Sequence, residues 1–348
     1  MNRQFPALRG FAIILVVLNH TTYMGTLYPS KWGYPPIEGW LRYVIATINQ
    51  LGVFAVPIFL FLSGCFFTYA SQNKNIKQSY KVVWSSLKNV IWPYIIWSLV
   101  FYIVIFFLNN QKYTLWEYFK NLVVGYPYNF VPLLIFYYLI SPILVRFCKK
   151  YGLIIIVAIV AYQFFLFNLL NPGIAGFYLP EWAKFFRIPV LSATMNDWAL
   201  FFPLGIIYSL HAKSLSPQLR KFRWILGLLT GLFFILTVLN FTSVINFPFA
   251  QWIAPVIFMG IIPVIKRESI PFVRQFEYVG KRAYGVYLTH LTVLFIALTI
   301  FHAVIPWVLG IPFVLFPTLF ILALGIPLVL MSSIERLPNH GAYRYVFG

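Results

Sequence analysis

Long apolar runs separated by short polar stretches organise this chain from end to end. Runs long enough to cross a membrane fall near residues 6–27, 43–70, 90–108, 130–147, 152–170, 199–210, 224–242, 249–265, 284–303 and 312–332. Most approach the roughly 20 helical residues that one crossing needs. The run at 199–210 is short and is read as beginning upstream, from Met195. The pattern predicts an all-α integral membrane protein, a bundle of about ten transmembrane helices in one domain over residues 1–348. The first run has the length of a signal peptide, but no small-residue cleavage site follows it and Arg9 lies inside it. It is therefore expected to stay as the first span.

Composition supports the membrane reading. The chain is 61% hydrophobic and 9% charged, with a mean hydropathy of +0.82, whereas a soluble domain carries about 25% charged residues. The net charge of +19 raises the question of nucleic acid. The basic residues sit in clusters between apolar runs, however, as they do where charge fixes membrane orientation, so no nucleic-acid partner is expected. With the N-terminus cytoplasmic, the outer face keeps Lys31, Arg42, Lys112, Lys120, Lys184 and Arg187, and the inner face takes the rest, from Arg3 and Arg9 to Arg336 and Arg344. An even number of spans with both termini cytoplasmic then satisfies the positive-inside rule. Cys65 and Cys148 lie in or beside apolar runs without ligand spacing, so no metal is expected.

Candidate chemistry concentrates in two stretches. In LRGFAIILVVLNH, Arg9 and His20 are eleven residues apart. Eleven helical steps leave about 20° after three turns and roughly 16 Å of rise, so both side chains point the same way. Arg9 then lies near the inner interface and His20 beyond the midplane, where a polar ring needs a partner or a cavity. In GKRAYGVYLTH, Tyr287 and His290 share a helix face three residues apart. That pair suits helix packing as well as a direct role. All seven acidic residues fall in loops or at span edges, which weakens a proton-coupled transporter. P-loop, HExxH and GxSxG motifs are absent. In the outer loop 171–198, Tyr178, Trp182, Phe185 and Phe186 alternate with Glu181, Asn196 and Asp197. Aromatic faces beside carboxylates suit a sugar ring, and an interfacial aromatic belt accounts for the same pattern.

In order along the chain, ALRGFAIILVVLNH, VPIFLFLSGCFFTYA, WPYIIWS, FVPLLIFYYLISPIL, FFPLGIIYS and YGVYLTH resemble the motifs of the acyltransferase-3 family of integral membrane acyltransferases. Arg9 and His20 stand in the two named places of that family's R-x10-H signature. The opening of the fourth span departs from the family, with Tyr128, Asn129, Phe130 and Val131 in place of a His-Leu-Trp-Phe-like stretch, as does Ala283 where a serine is common. With no fused esterase-like domain before Gly348, the chain resembles the stand-alone members.

The resemblance implies a bacterial inner-membrane O-acyltransferase. It would move acetyl, or succinyl or a longer group, from acyl-coenzyme A to a hydroxyl of a cell-envelope polysaccharide or lipid-linked sugar. The polyanionic donor would meet the inner basic loops and Arg9, with Arg282, Tyr287 and His290 beside it. His20 would act as general base or take the acyl group itself. Asn19, a tyrosine hydroxyl or a backbone carbonyl is expected to fix its tautomer, and Asn19, Tyr178, Glu181 and Trp182 are the candidates for acceptor contacts. Membrane lipids and the glycan or glycolipid are the expected partners, with homo-oligomers left open. A polysaccharide or glycolipid transporter or flippase is the alternative, and release of free coenzyme A separates the two.

Overall fold

A computed structural model describes residues 4–72, 74–336 and 340–348, without the side chains of 340–342. Arg3, used in the orientation count, lies outside the described residues. The helices are α1 (Phe5–Lys31), α2 (Gly39–Gln50), α3 (Ala55–Ser71), α4 (Ile76–Asn109), α5 (Leu115–Val124), α6 (Phe130–Leu170) and α7 (Ser192–Trp198). They continue with α8 (Phe201–Lys221), α9 (Arg223–Phe241), α10 (Ala250–Ile261), α11 (Val273–Lys281), α12 (Ala283–Val304), α13 (Pro312–Glu335) and α14 (His340–Phe347). No strand occurs among the described residues.

Each apolar run predicted above falls in helix, but not one run to one helix. Among the described residues, seven helical segments are long and apolar enough to cross a membrane: α1, Gly39–Ser71, α4, α6, α9, α12 and α13. The runs at 130–147 and 152–170 both lie in α6, on either side of Tyr151, whose φ of −123° and ψ of 30° leave the helical range. The run at 199–210 forms the apolar start of α8, which bends at His211 and ends in basic residues. The run at 249–265 becomes α10 and a tight turn, too short to be counted with the seven. Among the described residues, α5, α11 and α14 lie outside every predicted apolar run. Amphipathic α5 is closed at its start by a capping box between Thr114 and Glu117 and at its end by Gly125, with φ +93°.

The described residues cluster into two compact units: Phe59–Ile91 with Tyr113–Gln218, and Asn2–Ile58 with Trp92–Lys112 and Leu219–Gly348. In the first, α3 and α8 meet through Gly64 and Gly205. A Cβ on Gly64 would overlap the Phe202 carbonyl oxygen, and one on Gly205 that of Phe61, so only small residues permit this approach. Tyr137 stacks on Phe202 with centroids 4.9 Å apart and donates its hydroxyl to the Ala199 carbonyl at 2.5 Å. Such buried hydroxyls must find acceptors inside the protein where water is absent.

The second unit is built around α1, which packs on α2, α11, α12 and α13. Gly10 and Gly280 form its tightest crossing, since a Cβ on Gly10 would overlap the Phe276 carbonyl oxygen and one on Gly280 that of Pro6. From there α1 and the α11–α12 segment run parallel. Gly10 meets Gly280, His20 meets His290 and Trp32 meets His302, at a constant offset of 270 residues. The C-terminal α14 closes this unit. Phe347 is 2% exposed and stacks near Trp97, whose indole N–H donates to the Val346 carbonyl at 2.9 Å.

Candidate functional site: a histidine pair between two parallel helices

Two polar rings meet inside the second unit. His20, half-buried on α1, places Nδ1 2.8 Å from Nε2 of fully buried His290 on α12. The ring planes differ by 22° and the centroids are 5.0 Å apart. That is the arrangement of two imidazoles joined edge to edge in nearly one plane. His290 Nδ1 lies 3.0 Å from the Val286 carbonyl oxygen, one turn back on its own helix.

This chain of contacts fixes the tautomers by elimination. A carbonyl oxygen only accepts, so His290 Nδ1 carries the hydrogen. In the neutral ring Nε2 then has a bare lone pair, and His20 Nδ1 must donate to it. Neutral His20 is left with its own lone pair on Nε2, pointing away from the pair. The expectation that Asn19, a tyrosine or a carbonyl orients His20 is thus corrected: the direct partner is His290, and the carbonyl acts one ring further on. Tyr287 lies beside His290, with ring centroids 5.9 Å apart.

Asn19 has a different task. Its Nδ2 donates to the Asn49 carbonyl at 2.9 Å, and Asn49 Nδ2 lies 3.1 Å from the Asn19 carbonyl and 3.0 Å from Thr22 Oγ1. Gln50 Nε2 donates to Asn49 Oδ1 at 3.0 Å. A Cβ on Gly52 would come within 2.6 Å of Asn19 Cβ, so this ladder also needs a bare backbone there. Buried and mutually satisfied amides of this kind lock helix rotation. They hold α1 against α2 at the residue preceding His20. Sequence reading missed Asn49 and Gln50 because nothing marks a pair of amides in the second run as partners of the first.

At the other end of the pair's helices lie the candidate cations. Arg9 is half-buried on α1 beside the Gly10–Gly280 crossing. Arg282, in the break between α11 and α12, binds the Glu335 carboxylate and covers the Tyr278 ring at 4.1 Å from its centroid. Its side chain is 13% exposed, so much of its charge is already answered within the protein. On α11, Glu277 accepts from Arg267 Nε at 2.6 Å and Nη2 at 2.8 Å. The hydrogen bonds from Arg267 hold the Glu277 carboxyl below the usual carboxylate range.

The outer-loop candidates belong to the first unit, whereas Arg9, Asn19, His20, Arg282, Tyr287 and His290 belong to the second. Tyr178 is 80% and Trp182 69% exposed, and Glu181 pairs with Lys184 at 2.5 Å. Asn196 and Asp197 do not lie in a loop. They sit in α7, with Asn196 Nδ2 on Asp197 Oδ1 at 2.8 Å and Gln163 Nε2 on the Asn196 carbonyl at 2.9 Å.

Comparison with known proteins adds the chemistry. No curated protein and no solved structure matches the chain. The model of acyltransferase family 3, described as an acyltransferase domain, matches residues 2–332 and so takes in the first compact unit, the second as far as residue 332, and both histidines of the pair. The chain belongs to acyltransferase family 3.

Proposed function

We propose that this protein is a membrane O-acyltransferase that uses His20 Nε2 as its general base, moving acetyl from acetyl-coenzyme A to a hydroxyl of a cell-envelope polysaccharide or lipid-linked sugar. The observation that carries the reading is the relay from His20 through His290 to the Val286 carbonyl, which leaves Nε2 of His20 as a lone-pair donor. In the reaction Nε2 takes the proton of the acceptor hydroxyl as its oxygen bonds to the thioester carbonyl carbon. The positive charge on His20 strengthens the Nδ1–H bond to His290. The carbon–sulfur bond then breaks, and Nε2 returns the proton to the thiolate, giving an ester and free coenzyme A. The seven acidic residues supply no third member to this relay, so a second imidazole fills the place a carboxylate takes in related arrangements.

In the proposed topology, about ten crossings place both termini on the cytoplasmic side of a bacterial inner membrane. Arg9, near the inner end of α1, and the basic inner loops then meet the donor's phosphates. Arg282 contributes less directly, because it already holds Glu335. Tyr178 and Trp182 offer exposed ring faces to an acceptor glycan. The test is release of free thiol from acetyl-coenzyme A by the purified protein in lipid, wild type beside His20→Ala, with crude envelope glycan as acceptor. Glycan-dependent release that disappears in the variant is expected. Absence of release with acetyl, succinyl and longer donors would overturn the reading in favour of glycan export.

A further inference from the structure

A cavity of about 400 Å³ opens beside the C-terminal half of α1, walled by α1, α2 and the end of α9. Leu27, Ile37, Ile45 and Phe241 make its sides apolar, and Arg42 supplies its one charged group. Arg42 is exposed, and among the described residues it spends one Nη2 on the Thr242 carbonyl at a long 3.4 Å. Most of its five N–H donors therefore remain for another acceptor. No carboxylate lines the cavity. The flanking Trp40 and Tyr43 are both exposed, and exposed aromatic rings at a span's end mark the headgroup level of a bilayer. The cavity thus joins a cation at phosphate depth to an apolar wall.

Its position connects it to the histidine pair. Asn49 and Thr22 of the amide ladder line the cavity. Leu27 follows His20 by seven residues, which returns it to within about 20° of the same bearing, roughly 10 Å further along the helix.

We infer that this cavity binds a single-chain amphiphile headed by a phosphate, with the phosphate on the Arg42 guanidinium and the chain against the apolar wall. A guanidinium matches phosphate oxygens in pairs. The volume lies low in the range of about 300–1,000 Å³ typical of ligand pockets, room for one chain rather than two. The inference does not depend on the acyl-transfer reading, because binding alone tests it.

The experiment is equilibrium binding of radiolabelled geranylgeranyl phosphate to the full chain in phosphatidylcholine nanodiscs. Geranylgeraniol, dioleoyl phosphatidic acid and inorganic phosphate serve as competitors. Saturable binding at one site is expected, with the alcohol and the two-chain lipid at least tenfold weaker and inorganic phosphate without effect. Arg42→Gln should weaken binding about tenfold, the size of one charge-assisted contact. Thr26→Trp, at an exposed position on the cavity wall, should abolish saturable binding without shifting the thermal unfolding midpoint. Unchanged binding in both variants, equal competition by the alcohol, or tighter binding of phosphatidic acid would each overturn the inference.

Discussion

Replacing His290 with Phe removes both ring nitrogens of the relay while keeping a planar ring in a fully buried place. The folded state should tolerate it, since the Val286 carbonyl lies one turn back and keeps its helical partner. On the proposed mechanism the catalytic loss is specific. When His20 takes a proton, its Nδ1–H donates as a charged group to His290 Nε2 across 2.8 Å, and this contact strengthens only as the charge develops. A hydrogen bond to a charged group contributes about 1.5–3 kcal/mol, which corresponds to a fall in kcat of roughly 10- to 150-fold. Full burial of His290 leaves no water to substitute, so the loss belongs in the upper part of that span. The assay is thiol release at saturating acetyl-coenzyme A and glycan, with His20→Phe alongside. His290→Phe should lower kcat with little change in KM for the donor, and His20→Phe should abolish turnover. Full kcat in His290→Phe, or a milder effect at position 20 than at 290, would refute the assignment of Nε2 of His20 as the base.

Other outcomes follow from the same structure. Gly10→Ala should lower thermal stability by about 1–3 kcal/mol through overlap with α11. Gly227→Ala, where a Cβ meets nothing, should leave it unchanged or slightly raised; equal midpoints for the two variants would contradict the crossing. Asn49→Ala strips donors from the Asn19 carbonyl and Thr22. It should cost about 1–3 kcal/mol, read as a lowered unfolding midpoint. Glu277 has its carboxyl pKa lowered in the fold by Arg267, so its contribution is present above the ordinary carboxylate range and is lost as pH falls through the lowered value. Protection factors of the α11 amides should therefore fall on acidification through that range, and Arg267→Gln should lower them at neutral pH. Unaltered protection in that variant would remove the pair from any role in holding α11.

Much of the helical layout was legible because apolar length is read directly from the chain, as in the first run and in α12 and α13. What escaped was continuity. Tyr151 and His211 lie where the apolar runs end, beside Lys149, Lys150 and Lys213, but only a kink in backbone angles marks each break and the helix runs on past it, so segments were divided differently from the predicted runs. Arg9, His20, Tyr287 and His290 were each marked as polar intrusions into apolar sequence. Their arrangement was not legible, because pairing across 270 residues depends on how the glycine crossing sets the register of two helices. Asn19 was singled out for a role that the second imidazole fills, since sequence shows which groups need partners but not which partner arrives first. Asp197 was read as part of the aromatic loop, and it lies in a short helix.

The constant offset between the parallel helices also sets a timetable for biosynthesis. His20 leaves the ribosome early and waits for 270 more residues before its ring partner exists. At roughly 5–20 residues per second that delay is about 15–50 s. During it the proposed base has no relay behind it, and a chain interrupted before α12 carries the first motif without the group that orients it. On the proposed mechanism, catalytic competence is therefore acquired late, once α12 stands beside α1.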